Sequence, residues 1–276
     1  MSGMEFVMDE RNSMLWWWPR VQVLSGTNSP LKHPINMPAT TLIQCKEIDP
    51  LEWACAVEEG ENPPDPPWMA EIEQAVTAHW HRQIRAKRGP RIGLGTCFLR
   101  GDEASVKHEF ADTCQVIEPE CTARHVFNIC QWHLQQMFGP MLRGFAVRDW
   151  IEARNPIIAT AYGNLPIGTE WRYYVRDGRV ECFHPYWPEG AVEQGAPLQE
   201  DWRERLRRAS YVGPCTEALL RDWAEHLGQV LGGGYWSVDF MEDAHGFLWF
   251  IDCALGECSW HEPSCEHAIP SQYEGV

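Results

Sequence analysis

Two aspartates near the C-terminal end of the chain, Asp239 and Asp252, each interrupt an apolar run, WSVDF and WFIDC. A carboxylate among Trp, Val, Phe and Ile is costly to bury unless a cation or strong hydrogen-bond donors meet it. If the two runs pair as a hairpin whose turn has an even number of residues, both side chains share one sheet face. Two carboxylates there suit Mg²⁺, which takes oxygen ligands and is usually completed by water and phosphate. The plainer alternative is a pair of strand-end aspartates capping turns. Upstream, Glu170 and Arg172 are two apart in another β-rich run and therefore on one face. A guanidinium fork matches phosphate oxygens; otherwise the two form an ion pair, worth little if exposed. Arg100 ends an earlier apolar run, and Lys107 follows the polar loop DEASV. A small-residue loop with a lysine suits phosphate, although no Walker pattern is present, and such a lysine can equally face solvent.

The elements that must position these residues are legible in outline. Residues 58–67, EEGENPPDPP, read as a loop. After Pro66-Pro67, the positions Ile72, Val76, Trp80 and Ile84 recur at helical spacing, and Gly89-Pro90 stops that helix. GLGTCFLRG (93–101) reads as a buried strand, and a helix is expected over 122–138 with Val126, Ile129, Cys130 and Leu134 on one face. FAVRDWIEA (145–153) reads as a strand or linker. EWRYYVRDGRVECFHPYW (170–187) is a hairpin turning on Asp177-Gly178, and an amphipathic helix over 217–234 closes on glycine. The two aspartate runs form a second hairpin turning near EDAHG. Antiparallel hairpins alternating with helices predict α+β lobes rather than a doubly wound parallel sheet. The expected division is an N-terminal region (1–90) packed on the body, a first lobe (91–147) and a second lobe with the metal site (148–276).

Composition narrows the function classes. A formal net charge of −16 argues against general nucleic-acid binding, while leaving room for a local basic pocket. The N-terminus is acidic where a signal peptide is basic, and no apolar run approaches the roughly 20 residues that cross a bilayer. A soluble, cytoplasmic protein without membrane association is expected. The eleven cysteines include no CxxC pair, so reduced thiols are expected. Of the fifteen tryptophans, the WWW run at 16–18 reads as packing, with a binding surface as the alternative.

The order of these features resembles the ATP-grasp fold: basic residues on an early strand and loop, an extended linker, a Glu-x-Arg hairpin, then a paired-aspartate hairpin. The similarity is closest to the clade defined by one arginine and two lysines. That clade includes cell-division-cycle proteins that help assemble a translation initiation factor, and phage-type proteins of unknown substrate. The phage-type members are the most similar, through FLRGDEASVKHEFADTC, VRDWIE, LPIGTEWRYYVRDGRVECFHPYW and WSVDF with DCALGECSWH, over roughly residues 93–262. The resemblance implies a two-lobed α+β fold of antiparallel sheets and flanking helices, with ATP in the interlobe cleft. It implies that Arg100 and Lys107 contact the phosphates, with arginine in place of a lysine at 100. Arg148, Asp149, Trp150 and Ile151 match the linker whose backbone bonds adenine, and Glu152 the residue reaching the ribose. Arg172 matches the arginine facing the γ-phosphate and Glu170 the residue orienting it or the metal. Asp239 and Asp252 match the Mg²⁺ ligands. The implied activity is ATP- and Mg-dependent carboxylate–amine ligation through an acyl phosphate, with Arg172 and Lys107 as catalytic groups and small-molecule or peptide acid and amine substrates.

One position departs from the pattern. The family's final asparagine ligand is replaced by Ala254, and Glu257 or Ser259 in the next loop are the residues that could replace it. An ATP-binding assembly factor acting on a protein partner, or a catalytically reduced nucleotide-binding protein, is therefore the alternative reading. A rival site for zinc uses Cys258, His261, Cys265 and His267, a compact set unlike structural sites whose halves are well separated. His79 and His81 read as surface residues, and the aromatics of FHPYW as packing for the sheet or the cleft wall.

Overall fold

The computed structural model describes residues 9–86, 95–136 and 141–269. Gly89-Pro90, residues 93–94 of the expected strand and residues 137–138 of the expected helix lie outside the described residues. Ten strands and seven α-helices follow in chain order among the described residues: α1 (Met14–Val21), β1 (Thr40–Gln44), α2 (Pro50–Glu58), α3 (Pro67–Ala86), β2 (Cys97–Gly101), β3 (Gln115–Val116), α4 (Thr122–Gln135), β4 (Gly144–Asp149), β5 (Ile157–Ala159), β6 (Leu165–Ile167), β7 (Thr169–Arg176), β8 (Arg179–Pro185), α5 (Glu189–Gln194), α6 (Trp202–Ala209), α7 (Pro214–Val230), β9 (Tyr235–Glu242) and β10 (Leu248–Leu255). The class is α+β, as expected. The order β1-β4-β2-β3 makes one antiparallel sheet, β10-β9-β7-β8 a second, and β5-β6 a small ribbon.

Each sheet buries one face under helices. On the first, Ile43, Leu99, Phe145 and Val147 pack with Trp53, Trp68, Ile72, Val76 and Ile129 of α2, α3 and α4. On the second, Trp171, Tyr173, Val175, Trp236, Val238 and Phe240 alternate toward a core shared with Trp17 and Trp18 of α1 and Leu220, Trp223 and Leu227 of α7. The Trp run is thus mainly packing: Trp17 and Trp18 are buried, and Trp16 stacks on Trp236. Residues 9–86 are shared between the two bodies, α1 joining the second core and β1, α2 and α3 the first. A third apolar cluster gathers Phe110, Tyr162, Trp187, Trp202 and Leu206 around the β5–β6 ribbon.

Period-2 alternation leaves Arg172, Tyr174, Ser237, Asp239 and Met241 on the opposite, cleft-facing side. Asp177 and Gly178 both take positive φ (49° and 77°), the geometry that closes a two-residue hairpin between β7 and β8. The register of β9 with β10 depends on an irregularity. Phe250 pairs with Phe240, yet Asp252 pairs with Asp239, so Ile251 is an extra residue. Without that bulge Asp252 would fall opposite Val238 and point into the core. The bulge, rather than the length of the turn, brings the two aspartates onto one face.

Candidate active site

Arg172, Asp239 and Asp252 lie directly opposite one another on β7, β9 and β10, forming a row across the second sheet, with Glu170 and Met241 in the next row. Across the cleft, β2 and β4 of the first sheet supply Phe98, Arg100 and Arg148, with Phe98 paired opposite Arg148. Between the sheets is a cavity of about 730 Å³ including its open mouth, lined by Phe98, Arg100, Arg148, Glu170, Met241 and Asp252 and by Ser105, Lys107, Phe110, Trp150 and Ile151. Its wall combines an aromatic set, with Phe110 5.8 Å from Trp150 and 6.4 Å from Phe98 between ring centroids, and a charged set.

The charged set is only partly self-satisfied. Arg172 donates from Nε and Nη2 to both oxygens of Asp239, at 2.8 Å each. Arg100 donates from Nη1 to Asp252 Oδ2 at 2.5 Å, a contact that bridges the two sheets. Burial pulls both guanidiniums down, but the facing carboxylates outweigh it and hold them above the ordinary arginine range. Lys107 donates to the Tyr186 hydroxyl at 3.3 Å and lies 3.9 Å from Glu170 Oε2. Burial opposes its charge, but Tyr186, Glu170, Asp239 and Asp252 together raise its pKa. Glu170 accepts from Trp187 Nε1 at 3.0 Å on one oxygen, while Oε2 is buried without a hydrogen-bond partner. Burial pushes its carboxyl up, opposed chiefly by Lys107.

Arg148 is the least compensated charge. It is 5% exposed, donates to the bulged Ile251 carbonyl and to Thr40 Oγ1 at 3.3 Å, and its Nη2 has no hydrogen-bond partner. Burial draws its pKa down to about 9, only partly opposed by Asp252. A buried guanidinium with an unused donor, opening into a cavity, is a group prepared for an anion.

The expected site residues divide into two groups. Arg100, Lys107, Arg148, Trp150, Ile151, Glu170 and Asp252 line the cavity together with Asp149, and Arg172 and Asp239 adjoin Asp252 in the row. Arg148 and Asp149 are the last residues of β4 rather than free linker: the Asp149 N–H donates to the Ala39 carbonyl at 2.9 Å. The Asp149 carboxylate turns to α3, accepting from His79 at 2.6 Å and Arg82 at 2.8 Å. His79 is accordingly buried, at 1% exposure, with its other ring nitrogen 3.0 Å from Thr41 Oγ1. The surface reading of that histidine fails because α3 lays it on β1 and β4; His81 is exposed. The Glu152 side chain is exposed and outside the cavity lining. Glu257 is also exposed, on the turn after β10, where its field acts on Arg11 and Arg176. Beside Ala254, the hydroxyls of Ser237 and Ser259 meet at 2.6 Å.

Sequence reasoning missed the Arg148 side chain and Asp102, and read Tyr186 only as packing for the sheet or the cleft wall. Tyr186 places its ring 4.5 Å from both Lys107 Nζ and Arg172 Cζ. Asp102, fully buried, accepts from Ser13 Oγ at 2.5 Å and from the Arg143 and Gly144 amides, anchoring the start of the loop that carries Lys107. The signal was available: an aspartate directly after a buried strand.

Mg²⁺ is commonly held through one or two carboxylates, with phosphate oxygens and water completing the shell. Asp252, at 26% side-chain exposure, is the carboxylate of the row open to such a role, whereas both oxygens of Asp239 are committed to Arg172.

No family model matches the chain, and no curated protein matches it. Solved structures to which it is similar include a RimK-domain ATP-grasp protein from Sphaerobacter thermophilus (14% identity, 90% of this chain and 59% of that one, TM-score 0.41). Two others are D-alanyl-alanine synthetase A from Vibrio cholerae (10%, 90% and 56%, 0.43) and D-alanine–D-alanine ligase from Bacillus anthracis complexed with ATP (8%, 89% and 55%, 0.44). The chain therefore spans 55–59% of the length of these three structures. No described helix is long and apolar enough to cross a membrane, and none of the eleven cysteines is in a disulfide.

Proposed function

We propose that the chain is an ATP-grasp-type ligase that uses ATP to join a carboxylate to an amine. The observation that carries this reading is the buried Arg148 guanidinium, whose Nη2 has no hydrogen-bond partner, in the lining of an aromatic-walled cavity shared with Arg100 and Lys107. Three cations lining one cavity answer a polyanion. Phe98, Phe110, Trp150 and Met241 answer a flat purine ring. A cationic pocket of this kind also accounts for anion binding by a chain whose net charge is −16.

In this reading Arg100, Lys107 and Arg148 hold the triphosphate, and the backbone of Trp150 and Ile151 meets the adenine edge. Glu152, at the cleft margin, is left for the ribose. Asp252 would hold Mg²⁺, which would supply positive charge beside the phosphates. Asp239 serves as the counter-ion that fixes Arg172, and Arg172 with Lys107 stabilises the charge of the transferring phosphoryl group. The substrate carboxylate oxygen forms a bond to the γ-phosphorus as the bond to ADP breaks. An amine then attacks the acyl carbon, phosphate leaves, and the amine loses a proton. Ala254 offers no side-chain ligand at the metal end, so Asp252 would be the carboxylate left to hold the ion there.

The expected result is that Mg-ATP raises the melting temperature of the full chain and that Lys107→Ala and Asp252→Asn each remove the shift. ADP and phosphate release that depends on adding both acid and amine pools supports the ligase. Unchanged ATP affinity in both variants would sink the site assignment. ATP binding without turnover, together with a co-purifying protein, would instead support an assembly factor.

A further inference from the structure

A second constellation lies on the same sheet face, one strand beyond Arg172. Cys182 and His184 alternate on β8, with His184 opposite Arg172 and Cys182 opposite Tyr174. His261 and Cys265 approach them from the segment after β10. One ligand atom from each of the four lies within 4.8 Å of all the others, and no other set of three or more His, Cys, Asp or Glu meets that condition among the described residues. We propose that these four residues form a structural zinc site.

The distances fit a tetrahedron. Zinc–nitrogen bonds of about 2.0–2.1 Å and zinc–sulfur bonds of about 2.3 Å give tetrahedral edges of roughly 3.3 Å between nitrogens and 3.5 Å between nitrogen and sulfur. His261 Nε2 lies 3.1 Å from His184 Nε2 and 3.3 Å from Cys182 Sγ. One imidazole nitrogen has a single hydrogen or a single lone pair and cannot serve both neighbours. A cation at their common centre serves them all. Cys182 and Cys265 likewise have their sulfurs within 4.8 Å of each other and of both ring nitrogens, so the two sulfurs share that centre.

The surroundings fit a metal ligand as well. His261 is fully buried, and its other nitrogen, Nδ1, faces the Tyr235 hydroxyl at 3.3 Å. Metal-bound histidines characteristically fix their tautomer through such an outer partner. Its ring stacks on Tyr174 with centroids 3.8 Å apart and planes 4° apart, which sets its orientation. Two thiolates and two imidazoles favour zinc over harder ions. Four protein ligands leave no open position, so the site is structural rather than catalytic. The compact set expected from sequence is thus half replaced. His261 and Cys265 remain, while Cys182 and His184 take the places of Cys258 and His267. The pattern becomes Cys-x-His on a strand and His-x3-Cys in a distant loop, the separated halves usual for structural zinc. Cys258 is exposed on its turn, and His267 pairs with Glu266.

The site also braces the cleft. The Trp260 carbonyl, immediately before His261, accepts from Arg172 Nη1 at 3.3 Å and from the Tyr174 hydroxyl. Zinc at His261 pins that carbonyl in place.

The test is metal analysis of the full chain purified without a polyhistidine tag, followed by titration of the metal-free protein with Co²⁺. One zinc per chain and a Co²⁺ spectrum with intense tetrahedral bands and thiolate charge transfer are expected. Cys258→Ser and His267→Ala should retain the metal, whereas Cys182→Ser and Cys265→Ser should lose the charge-transfer intensity contributed by one thiolate each. Tyr235→Phe keeps all four ligands and should weaken zinc by roughly ten- to a hundredfold. Wild-type protein with no stoichiometric zinc and no tetrahedral Co²⁺ spectrum overturns the proposal. So does a Cys182–Cys265 disulfide in protein purified under reducing conditions, or a Cys182→Ser/Cys265→Ser chain that binds zinc as tightly as wild type. None of these readouts involves ATP.

Discussion

Replacing Arg148 with methionine should move stability and ATP affinity in opposite directions. Its guanidinium is 5% exposed and lies near another buried cation, Arg100, with Asp252 as the main opposing charge. The displacement of its pKa from the ordinary arginine range to about 9 corresponds to roughly 4–5 kcal/mol, at 1.36 kcal/mol for each pH unit. That is a ceiling on what holding the charge costs the free protein. Against it stand the hydrogen bonds to the Ile251 carbonyl and Thr40, each worth about 1.5–3 kcal/mol when the donor is charged. The two sides nearly cancel, so Arg148→Met should leave the free protein unchanged or up to about 2 kcal/mol more stable. The same change deletes a charged donor to phosphate, and ATP affinity should fall by roughly ten- to a hundredfold. Thermal unfolding with and without Mg-ATP, paired with calorimetric binding, reads both quantities. A variant that is several kcal/mol less stable yet binds ATP as tightly as wild type refutes the reasoning, because Arg148 is then a structural cation and not a ligand group.

Asp239→Asn strands the largely enclosed Arg172 charge and should cost up to about 3–5 kcal/mol, the range for a broken buried pair, while Arg172→Met/Asp239→Leu should cost less than the single change; denaturant unfolding compares them. Burial lowers the pKa of His125, with the Thr113 carbonyl opposing. The unfolded chain then takes up this proton first as the pH falls. The His125 contribution is intact above the ordinary histidine value near 6.5 and is lost below it, and His125→Gln should flatten the measured slope of stability with pH in that window. Gly178→Ala, at φ +77° with its new Cβ 2.9 Å from Gln229 Cγ, should cost about 1–2 kcal/mol by thermal unfolding without altering zinc content.

What was legible in the sequence is what short-range rules encode. Asp177-Gly178 announces the β7–β8 hairpin because only such residues accept two positive φ angles in succession. The period of α3 and α7, and the alternation of 236–241, give the helices and the buried faces. The α+β class with antiparallel sheets follows from them. What was not legible is set by long-range register. The bulge at Ile251 decides which face Asp252 takes, and no count of turn residues could reveal it. FAVRDWIEA stayed open between strand and linker because nothing local shows that β1 and β2 pair with β4 out to Arg148 and Asp149. His184 and His261 are 77 residues apart, and Cys-x-His on a strand looks like ordinary alternation until its partner loop is in place. His79 looked exposed because its half-buried partner, Asp149, belongs to another element.

Register also ties the two proposed sites together. His184, Arg172, Asp239 and Asp252 form one uninterrupted row across β8, β7, β9 and β10. The row begins at a zinc ligand and ends at the carboxylate that Arg100 grips from the opposite sheet. Arg172 is held on one side by both oxygens of Asp239 and on the other by the Trp260 carbonyl, which the His261 ligand positions. A guanidinium fixed from both sides has few rotamers left to lose when phosphate arrives, which favours binding by preorganisation. If both proposals hold, removing zinc should weaken Mg-ATP binding only modestly, because Asp239 still holds Arg172. In an Asp239→Asn background, where the Trp260 carbonyl is the main remaining brace, the same chelation should weaken it much more. Calorimetric ATP titrations of the four states, with and without chelator in each background, measure that coupling. Strictly additive losses would show that the zinc site holds the C-terminal segment without acting on the cleft.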